Sequence, residues 1–211
     1  MGSEQNLGHQ MRTIAVSQRV ASIGPHRELR DTLDQRLTYW LRKCGYLTVP
    51  IPTLIDVDEM DGFDFLKIWI EQVKPNGLLL SGGDDIGSDP NRDQLEFALL
   101  GIAQTRRMPV LGICRGLQII ATWAGASITP VKNHAGVRHQ LVGERSSEVN
   151  SYHNFGIEHI PEELEVIARA EDGVIEAIRH RELAWEGWMW HPEREKHLDD
   201  EDRLRFRQMM G

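Results

Sequence analysis

The pentapeptide Gly112-Ile113-Cys114-Arg115-Gly116 directly follows an apolar run that ends at Leu111 and precedes the helix-compatible stretch 117–121. A buried strand that runs into glycine, nucleophile and glycine, and then into a helix, describes a nucleophile elbow. The two glycines allow a sharp turn and the close approach of a substrate. Cys114 is left at a helix N-terminus, where the helix dipole favours the reactive thiolate. The pattern therefore predicts a cysteine nucleophile on an α/β fold.

Strand-like and helix-like segments alternate through the first half of the chain. Apolar residues recur at helical spacing over 33–44, and buried strands are predicted at 13–16 and 77–80. This alternation predicts a mostly parallel central sheet with helices on both faces. The pattern over 131–150 is irregular. Three consecutive strands then predict an antiparallel extension of the sheet in the C-terminal half, and Asp199 is expected to cap a last helix.

Length and composition indicate one domain. The chain has 211 residues, enough for a single well-packed core, which we assign to residues 12–211. The polar residues 1–11 are interpreted as a disordered tail or a non-native extension. A net charge of −8 argues against nucleic acid or an anionic membrane as a partner. With only Cys44 and Cys114, a disulfide framework is not expected and a reducing cytoplasm fits.

The segment Trp190-His191-Pro192-Glu193 contains the base that a thiol nucleophile needs. Pro192 restricts the residue before it to an extended conformation. In an extended segment, side chains two positions apart point to the same side, so His191 and Glu193 can face one cleft. One imidazole nitrogen can then address Cys114 while the carboxylate holds the other. The sequence therefore predicts a catalytic triad in the chain order cysteine, histidine, glutamate.

A pair of glycines is expected to form the second part of the site, an oxyanion hole. Ser81-Gly82-Gly83 follows a buried strand and is expected at the carboxyl edge of the sheet, where open α/β sheets bind ligands. Backbone N–H groups of Gly82 and Gly83, together with that of Arg115 after the nucleophile, are candidates for an oxyanion hole.

Taken together, the motifs resemble the class I glutamine amidotransferase superfamily in its γ-glutamyl hydrolase branch. The matching motifs are S-G-G at 81–83, G-I-C-R-G-L-Q at 112–118, N-S-Y-H at 150–153 and W-H-P-E at 190–193. The resemblance spans most of the chain and implies a single flavodoxin-like domain of the class I glutamine amidotransferase type, with no metal and no organic cofactor. It implies thiolate attack on a γ-amide, loss of the amine, and hydrolysis of the γ-glutamyl thioester.

The resemblance also implies which residues hold the substrate. Gln118 and the backbone of Ser151 and Tyr152 are expected to bind the glutamyl group. His153, which ends the N-S-Y-H motif, is grouped with them as a substrate-binding candidate. An ordinary polar role for Gln118 on its helix remains the alternative.

Two departures from synthase-associated glutaminases point to a subfamily. Arg115 stands where those proteins usually carry a neutral residue, and Asp84 stands where they usually carry proline. Both features resemble stand-alone hydrolases of γ-glutamyl amides, such as those acting on γ-glutamyl-γ-aminobutyrate. Segments 17–19, 30–36 and 150–156 resemble more closely the hydrolases of γ-glutamyl-cytidine-diphosphoramidate in capsule phosphoramidate synthesis. Arg19 is expected at the ligand edge of the first strand, where a guanidinium suits a diphosphate.

Several alternatives stay open at this point. A glutaminase subunit that passes ammonia to a partner synthase is the alternative function, and a binding protein that has lost turnover is a third. If the chain is a γ-glutamyl amide hydrolase, its expected partner is a small-molecule γ-glutamyl amide. A homodimer is common among such folds. His134, His139 and His153 match no standard zinc spacing, so they are expected to be surface or loop histidines and no metal site is predicted.

Overall fold

The computed structural model describes residues 11–53 and 60–211, so all of the expected tail except Met11 lies outside the described residues. The helices are α1 Gln35–Cys44, α2 Met60–Val73, α3 Pro90–Arg106, α4 Arg115–Trp123 and α5 Asp200–Met210, with a short 3₁₀ helix at Pro192–Arg194. The strands are β1 Arg12–Val16, β2 Arg19–Ile23, β3 Glu28–Thr32, β4 Tyr46–Pro50, β5 Gly77–Leu80, β6 Val110–Ile113, β7 Ile128–Pro130, β8 Ala135–Gly143, β9 Glu148–Tyr152, β10 Phe155–Ile157, β11 Leu164–Ala170, β12 Ile175–His180 and β13 Trp185–Trp188.

One large sheet runs through the domain in the strand order β4-β1-β5-β6-β13-β12-β11-β8-β9. The strands from β4 to β13 in this order pair in parallel. Those from β13 to β9 pair antiparallel. The predicted parallel centre with an antiparallel extension in the C-terminal half is therefore confirmed.

The parallel pairing brings the ends of four strands to one edge of the sheet. Ser17 follows β1, Ser81 follows β5, Cys114 follows β6 and Met189 follows β13. Because parallel strands share a direction, their carboxyl ends meet at this edge, which is where α/β sheets bind ligands. The register Trp188↔Ile113 sets the end of β13 beside the elbow, although the two strands lie far apart in sequence.

Local sequence signals explain where the helices begin and end. The Asp34 side chain accepts from the backbone N–H of Arg36 at the start of α1, and Gly45 ends that helix with φ of 93°. Asp199 caps α5 as predicted, accepting from the N–H groups of Glu201 and Asp202. No helix in the described part of the chain is long and apolar enough to span a membrane.

Two segments differ from the sequence-based expectation. The exposed hairpin β2–β3, which turns around Gly24 and Pro25 and forms a separate two-stranded sheet, is not among the predicted strands. The segment 131–150, expected to be irregular, contains the nine-residue strand β8 and the start of β9. Both segments are rich in exposed polar residues and lack clean alternation because little of either is buried in a core.

Candidate active site

The elbow has the geometry that its sequence predicts. Cys114 has φ of 51° and ψ of −104°, a conformation that a residue with a Cβ rarely adopts. A Cβ on Gly116 would lie 2.1 Å from the carbonyl oxygen of Leu80, so only glycine fits at this position. The N–H of Cys114 donates to the Trp188 carbonyl at 2.7 Å. The nucleophile is therefore held between β6, α4 and the end of β13.

The structure brings His191 and Glu193 to Cys114. Nδ1 of His191 lies 2.7 Å from Oε1 of Glu193, and both side chains are buried. Burial lowers the pKa of His191, but hydrogen bonds to the Cys114 thiol and to Glu193 outweigh it and raise the pKa to about 9. The imidazole thus binds a proton tightly beside the sulfur, which suits a thiolate–imidazolium pair.

Asn150 fixes the backbone of His191, a role that the sequence did not predict. Its side-chain oxygen accepts from the His191 N–H at 3.0 Å, and its Nδ2 donates to the His191 carbonyl at 2.8 Å. The same Nδ2 donates to Oε1 of Glu195 at 2.7 Å. The N-S-Y-H motif contains this asparagine, but the resemblance implied roles only for the residues that follow it.

The glycine pair lies against His191, the predicted base. A Cβ on Gly82 would lie 2.6 Å from Cε1 of His191, so the ring packs directly on this backbone. The Gly82 carbonyl accepts from Nε of Arg19 at 3.2 Å and from Nη2 of Arg92 at 3.4 Å. In a trans peptide the C=O and the following N–H point in opposite directions. The N–H of Gly83 therefore points away from the arginines.

A buried charge network lies beneath this loop. The Glu96 carboxylate is 0% exposed and accepts from Ser17 Oγ at 2.7 Å, from Arg92 Nε at 3.0 Å, and from Arg115. Arg92 also donates to the Ser81 carbonyl at 2.7 Å. The network was not predicted, because its members come from four separate segments of the chain.

Arg115 has two separable parts. Its guanidinium is buried and forms ion pairs with Glu96 and Asp93, so its side chain belongs to the network. Its backbone N–H is the first of helix α4, a position without an intrahelical acceptor. The predicted oxyanion role therefore involves only the backbone of this residue.

Of the residues implied for glutamyl binding, Gln118 lines a cleft that Ser151 and Tyr152 do not line. Gln118 follows Cys114 by one helical turn and donates from Nε2 to the Phe155 carbonyl at 3.1 Å. A cleft of about 360 Å³ is lined by Gln118, Phe155 and Asp85. Ser151 is buried and its Oγ donates to the His134 carbonyl, whereas Tyr152 is exposed with its ring 5.6 Å from that of His191.

Two arginines lie on the His191 side of the site. A small hollow is lined by Arg19, Arg194 and His191. Arg194 stacks over the Tyr152 ring at 4.9 Å, and its Nε lies 3.6 Å from Oε1 of Glu193 and 3.8 Å from Oδ2 of Asp34. Arg19 occupies the expected place at the end of the first strand.

The three histidines were expected to be surface or loop residues; His134 and His153 do lie in loops, but they are buried, and His139 lies in β8. His134 and His153 are each 3% exposed, and with His139 they surround the buried Glu176. Sequence spacing was a poor guide because pairing between β8 and β9 brings the histidines together. The side chain of His153, predicted to bind substrate, lies in this cluster.

These features define a single α/β domain with a cysteine at a strand–helix elbow, a Cys-His-Glu arrangement and a glycine loop at the ligand edge of the sheet. A family profile for class I glutamine amidotransferases matches residues 26–209. The chain belongs to the glutamine amidotransferase class-I family.

Two relatives and one solved structure show which known proteins the chain is similar to. The chain is 36% identical over 194 residues to a γ-glutamyl-CDP-amidate hydrolase from Campylobacter jejuni, covering 89% of this chain and 92% of that protein. It is 29% identical over 203 residues to a γ-glutamyl-γ-aminobutyrate hydrolase from Escherichia coli K12, covering 77% and 79%. A crystal structure of a putative GMP synthase component from Thermoplasma acidophilum matches with a TM-score of 0.68, at 25% identity, over 96% and 94% of the two chains. The resemblance read from the motifs is confirmed.

Proposed function

We propose that the chain hydrolyses the γ-glutamyl amide bond of a γ-glutamyl-CDP-amidate, releasing glutamate and cytidine diphosphoramidate. The observation that carries the chemistry is the contact of His191 with both the Cys114 thiol and the Glu193 carboxylate. The relative from Campylobacter jejuni supports the substrate, since it matches nearly the whole chain at 36% identity. Capsule phosphoramidate synthesis is the corresponding setting.

The first step is attack by the Cys114 sulfur on the γ-carbonyl carbon. The proton of the thiol already lies on His191 in the thiolate–imidazolium pair, and Glu193 stabilises the imidazolium. The N–H groups of Gly83 and Arg115 then stabilise the oxyanion of the tetrahedral intermediate. Arg19 and Arg92 support this role, because they hold the Gly82 carbonyl and so fix the orientation of the same peptide unit.

The second step expels the amine. His191 gives its proton to the leaving nitrogen as the C–N bond breaks, which leaves a γ-glutamyl thioester on Cys114. Water, activated by the neutral His191, then attacks the thioester and releases glutamate with the thiol restored. Each proton that the imidazole takes up is returned within the cycle, so no cofactor is required by this sequence of steps.

The direction of the leaving group favours a diphosphate on the amine side. Because His191 must protonate the leaving nitrogen, the amine-bearing half of the substrate lies on the His191 side. Arg19 and Arg194 line that hollow, and guanidinium groups bind phosphates through forked hydrogen bonds. The glutamyl half then extends toward Gln118 and Asp85, whose carboxylate offers a counter-charge for an α-ammonium group.

A substrate panel tests the proposal directly. The purified chain is given γ-glutamyl-CDP-amidate, γ-glutamyl-γ-aminobutyrate or glutamine, and glutamate release is followed by mass spectrometry. We expect the first substrate to give the highest kcat/KM, and Cys114→Ala to abolish release from all of them. A glutamyl adduct on Cys114 after rapid quenching identifies the thioester. Turnover of free glutamine alone contradicts the proposal and favours the alternative of a glutaminase subunit with a synthase partner.

Arginine variants test the diphosphate assignment separately. Arg194→Gln is expected to raise KM for γ-glutamyl-CDP-amidate by about tenfold, the loss of one charged hydrogen bond, and to leave KM for γ-glutamyl-γ-aminobutyrate unchanged. Because Arg194 also lies 3.6 Å from Glu193, any fall in kcat is expected to be the same for both substrates. Arg30→Gln is the matched control, because Arg30 is exposed and pairs with Glu28 on the β2–β3 hairpin. An equal rise in KM for both substrates contradicts a diphosphate subsite.

A cytoplasmic location belongs to the same proposal. A free thiol nucleophile and a second free cysteine, Cys44, are stable in a reducing compartment. The proposed substrate is a small nucleotide derivative with several negative charges. We therefore expect the enzyme to act in the cytoplasm, where nucleotides are made.

A further inference from the structure

A buried cluster of side chains that can bind a metal lies beside β9, the strand whose Asn150 holds the backbone of His191. Its members are His134, His139, His153 and Glu176. The mechanism above uses none of their side chains. We propose that this cluster binds a divalent transition-metal ion of the zinc type. The proposal does not depend on the proposed function.

Two hydrogen bonds fix where the lone pairs of the rings point. Nδ1 of His153 lies 2.9 Å from the Phe155 carbonyl, and Nε2 of His134 lies 2.9 Å from the Asp172 carboxylate. A carbonyl or carboxylate oxygen only accepts, so each of these nitrogens carries the hydrogen. In a neutral imidazole the other nitrogen is then a bare acceptor. Both of those bare nitrogens face Glu176.

The bare nitrogens of His134 and His153 converge on Glu176, and Nε2 of His139 faces the same carboxylate. Nδ1 of His134 and Nε2 of His153 each lie 3.3 Å from Oε1 of Glu176, and Nε2 of His139 lies 3.3 Å from Oε2. None of these five atoms has a hydrogen-bond partner among the described residues. Facing lone pairs repel one another, and a buried carboxylate without a partner is costly. A cation among them removes both penalties.

The separations match the edges of a zinc coordination shell. Zinc–nitrogen and zinc–oxygen bonds of about 2.0–2.2 Å at tetrahedral angles place neighbouring ligand atoms about 3.3–3.5 Å apart. The three nitrogen–oxygen separations of 3.3 Å fall at this value. The ligand atoms of His134, His153 and Glu176 all lie within 4.8 Å of one another, so small movements complete the shell.

The donor set and its surroundings select the class of metal. Neutral imidazoles with one carboxylate suit zinc, cobalt or nickel, whereas calcium and magnesium prefer oxygen ligands alone. Metal-bound histidines usually donate their second nitrogen to a carboxylate or a backbone carbonyl. Asp172 and the Phe155 carbonyl occupy those outer positions for His134 and His153.

The position of the cluster indicates a structural role. His134 precedes β8, His153 follows β9 and Glu176 lies in β12, so one ion joins three parts of the antiparallel extension. Asn150 in β9 holds the His191 backbone, which links the cluster to the active site. The ion is expected to stiffen this support and to take no part in the reaction.

Metal content of the full chain tests the proposal. The chain is purified without an affinity tag or metal resin, incubated with Zn²⁺, dialysed against metal-free buffer and measured by plasma mass spectrometry. We expect about one zinc per chain. Glu176→Gln and His153→Gln are expected to lower that content at least tenfold. His159→Gln is the matched control, because its side chain is 88% exposed, and it is expected to retain the metal.

A cobalt spectrum of the wild-type chain provides a measurement that needs no variant. Cobalt bound here is expected to give the visible bands of a four-coordinate site with nitrogen and oxygen ligands. A thiolate-to-cobalt band places the ion at a cysteine and overturns the proposal. So does the absence of bound zinc and cobalt, which means that extra protons on the histidines balance Glu176. Equal zinc content in the wild type and a folded Glu176→Gln chain also overturns it.

Discussion

Replacing Glu96 by glutamine is expected to destabilise the fold far more than a typical surface substitution. The carboxylate is 0% exposed and compensates two buried guanidinium groups, those of Arg92 and Arg115. Glutamine has nearly the same shape but no charge, so the two cations lose their shared partner. Breaking a buried ion pair from one side costs about 3–5 kcal/mol. At roughly 2–4 °C per kcal/mol for a domain of this size, the melting temperature falls by about 6–20 °C.

Denaturant unfolding followed by circular dichroism measures this change in the free energy of unfolding. Glu28→Gln is the control, because Glu28 pairs with Arg30 on the exposed hairpin and such pairs contribute about 0–1 kcal/mol. A loss below about 1 kcal/mol for Glu96→Gln, comparable to the control, refutes the reasoning. It means that the two guanidinium groups find compensation in Asp93 and the backbone carbonyls.

Two further predictions concern the catalytic histidine. Gly82→Ala places a Cβ about 2.6 Å from Cε1 of His191, so we expect kcat to fall about 100-fold. Gly101→Ala on α3 is the control, because its Cβ meets open space and kcat should not change. Equal kcat in the two variants contradicts the close packing of the His191 ring on the loop at Gly82. The pKa of His191, raised to about 9, makes its stabilising contribution complete below about pH 6.5 and lost as the pH rises toward 9. The stability difference between wild type and His191→Gln should therefore shrink over that range in pH-dependent unfolding, and a constant difference refutes the ion-pair interpretation.

Much of the fold could be predicted because local signals agree with the tertiary structure. The apolar strand before Cys114 is fully buried, and the turn residues Asp34 and Gly45 bound α1 as their types suggest. The β2–β3 hairpin could not be read in the same way. Every residue of β3 is exposed, so its sequence shows no alternation of apolar and polar residues that would predict a strand.

The parts of the site differ in how well they could be predicted from the sequence. His191 and Glu193 lie two residues apart on a segment constrained by Pro192, so their shared direction follows from backbone geometry. The histidine cluster has no such local rule. His134 and Glu176 lie 42 positions apart, and they meet only because β8, β11 and β12 are neighbours in the sheet. Spacing rules for metal ligands describe single loops and hairpins, and do not cover such a case.

The side chain of Arg115, the residue after Cys114, supports the active-site loop from inside the protein. Its guanidinium is turned into the protein, where it shares Glu96 with Arg92. Arg92 in turn holds the carbonyls of Ser81 and Gly82, which fixes the peptide units whose N–H groups are assigned to the oxyanion. A neutral residue at position 115 leaves Glu96 paired with Arg92 and removes the guanidinium that pairs with Asp93. We therefore expect the Arg115 side chain to act by supporting the loop at 81–83 through Glu96 and Arg92.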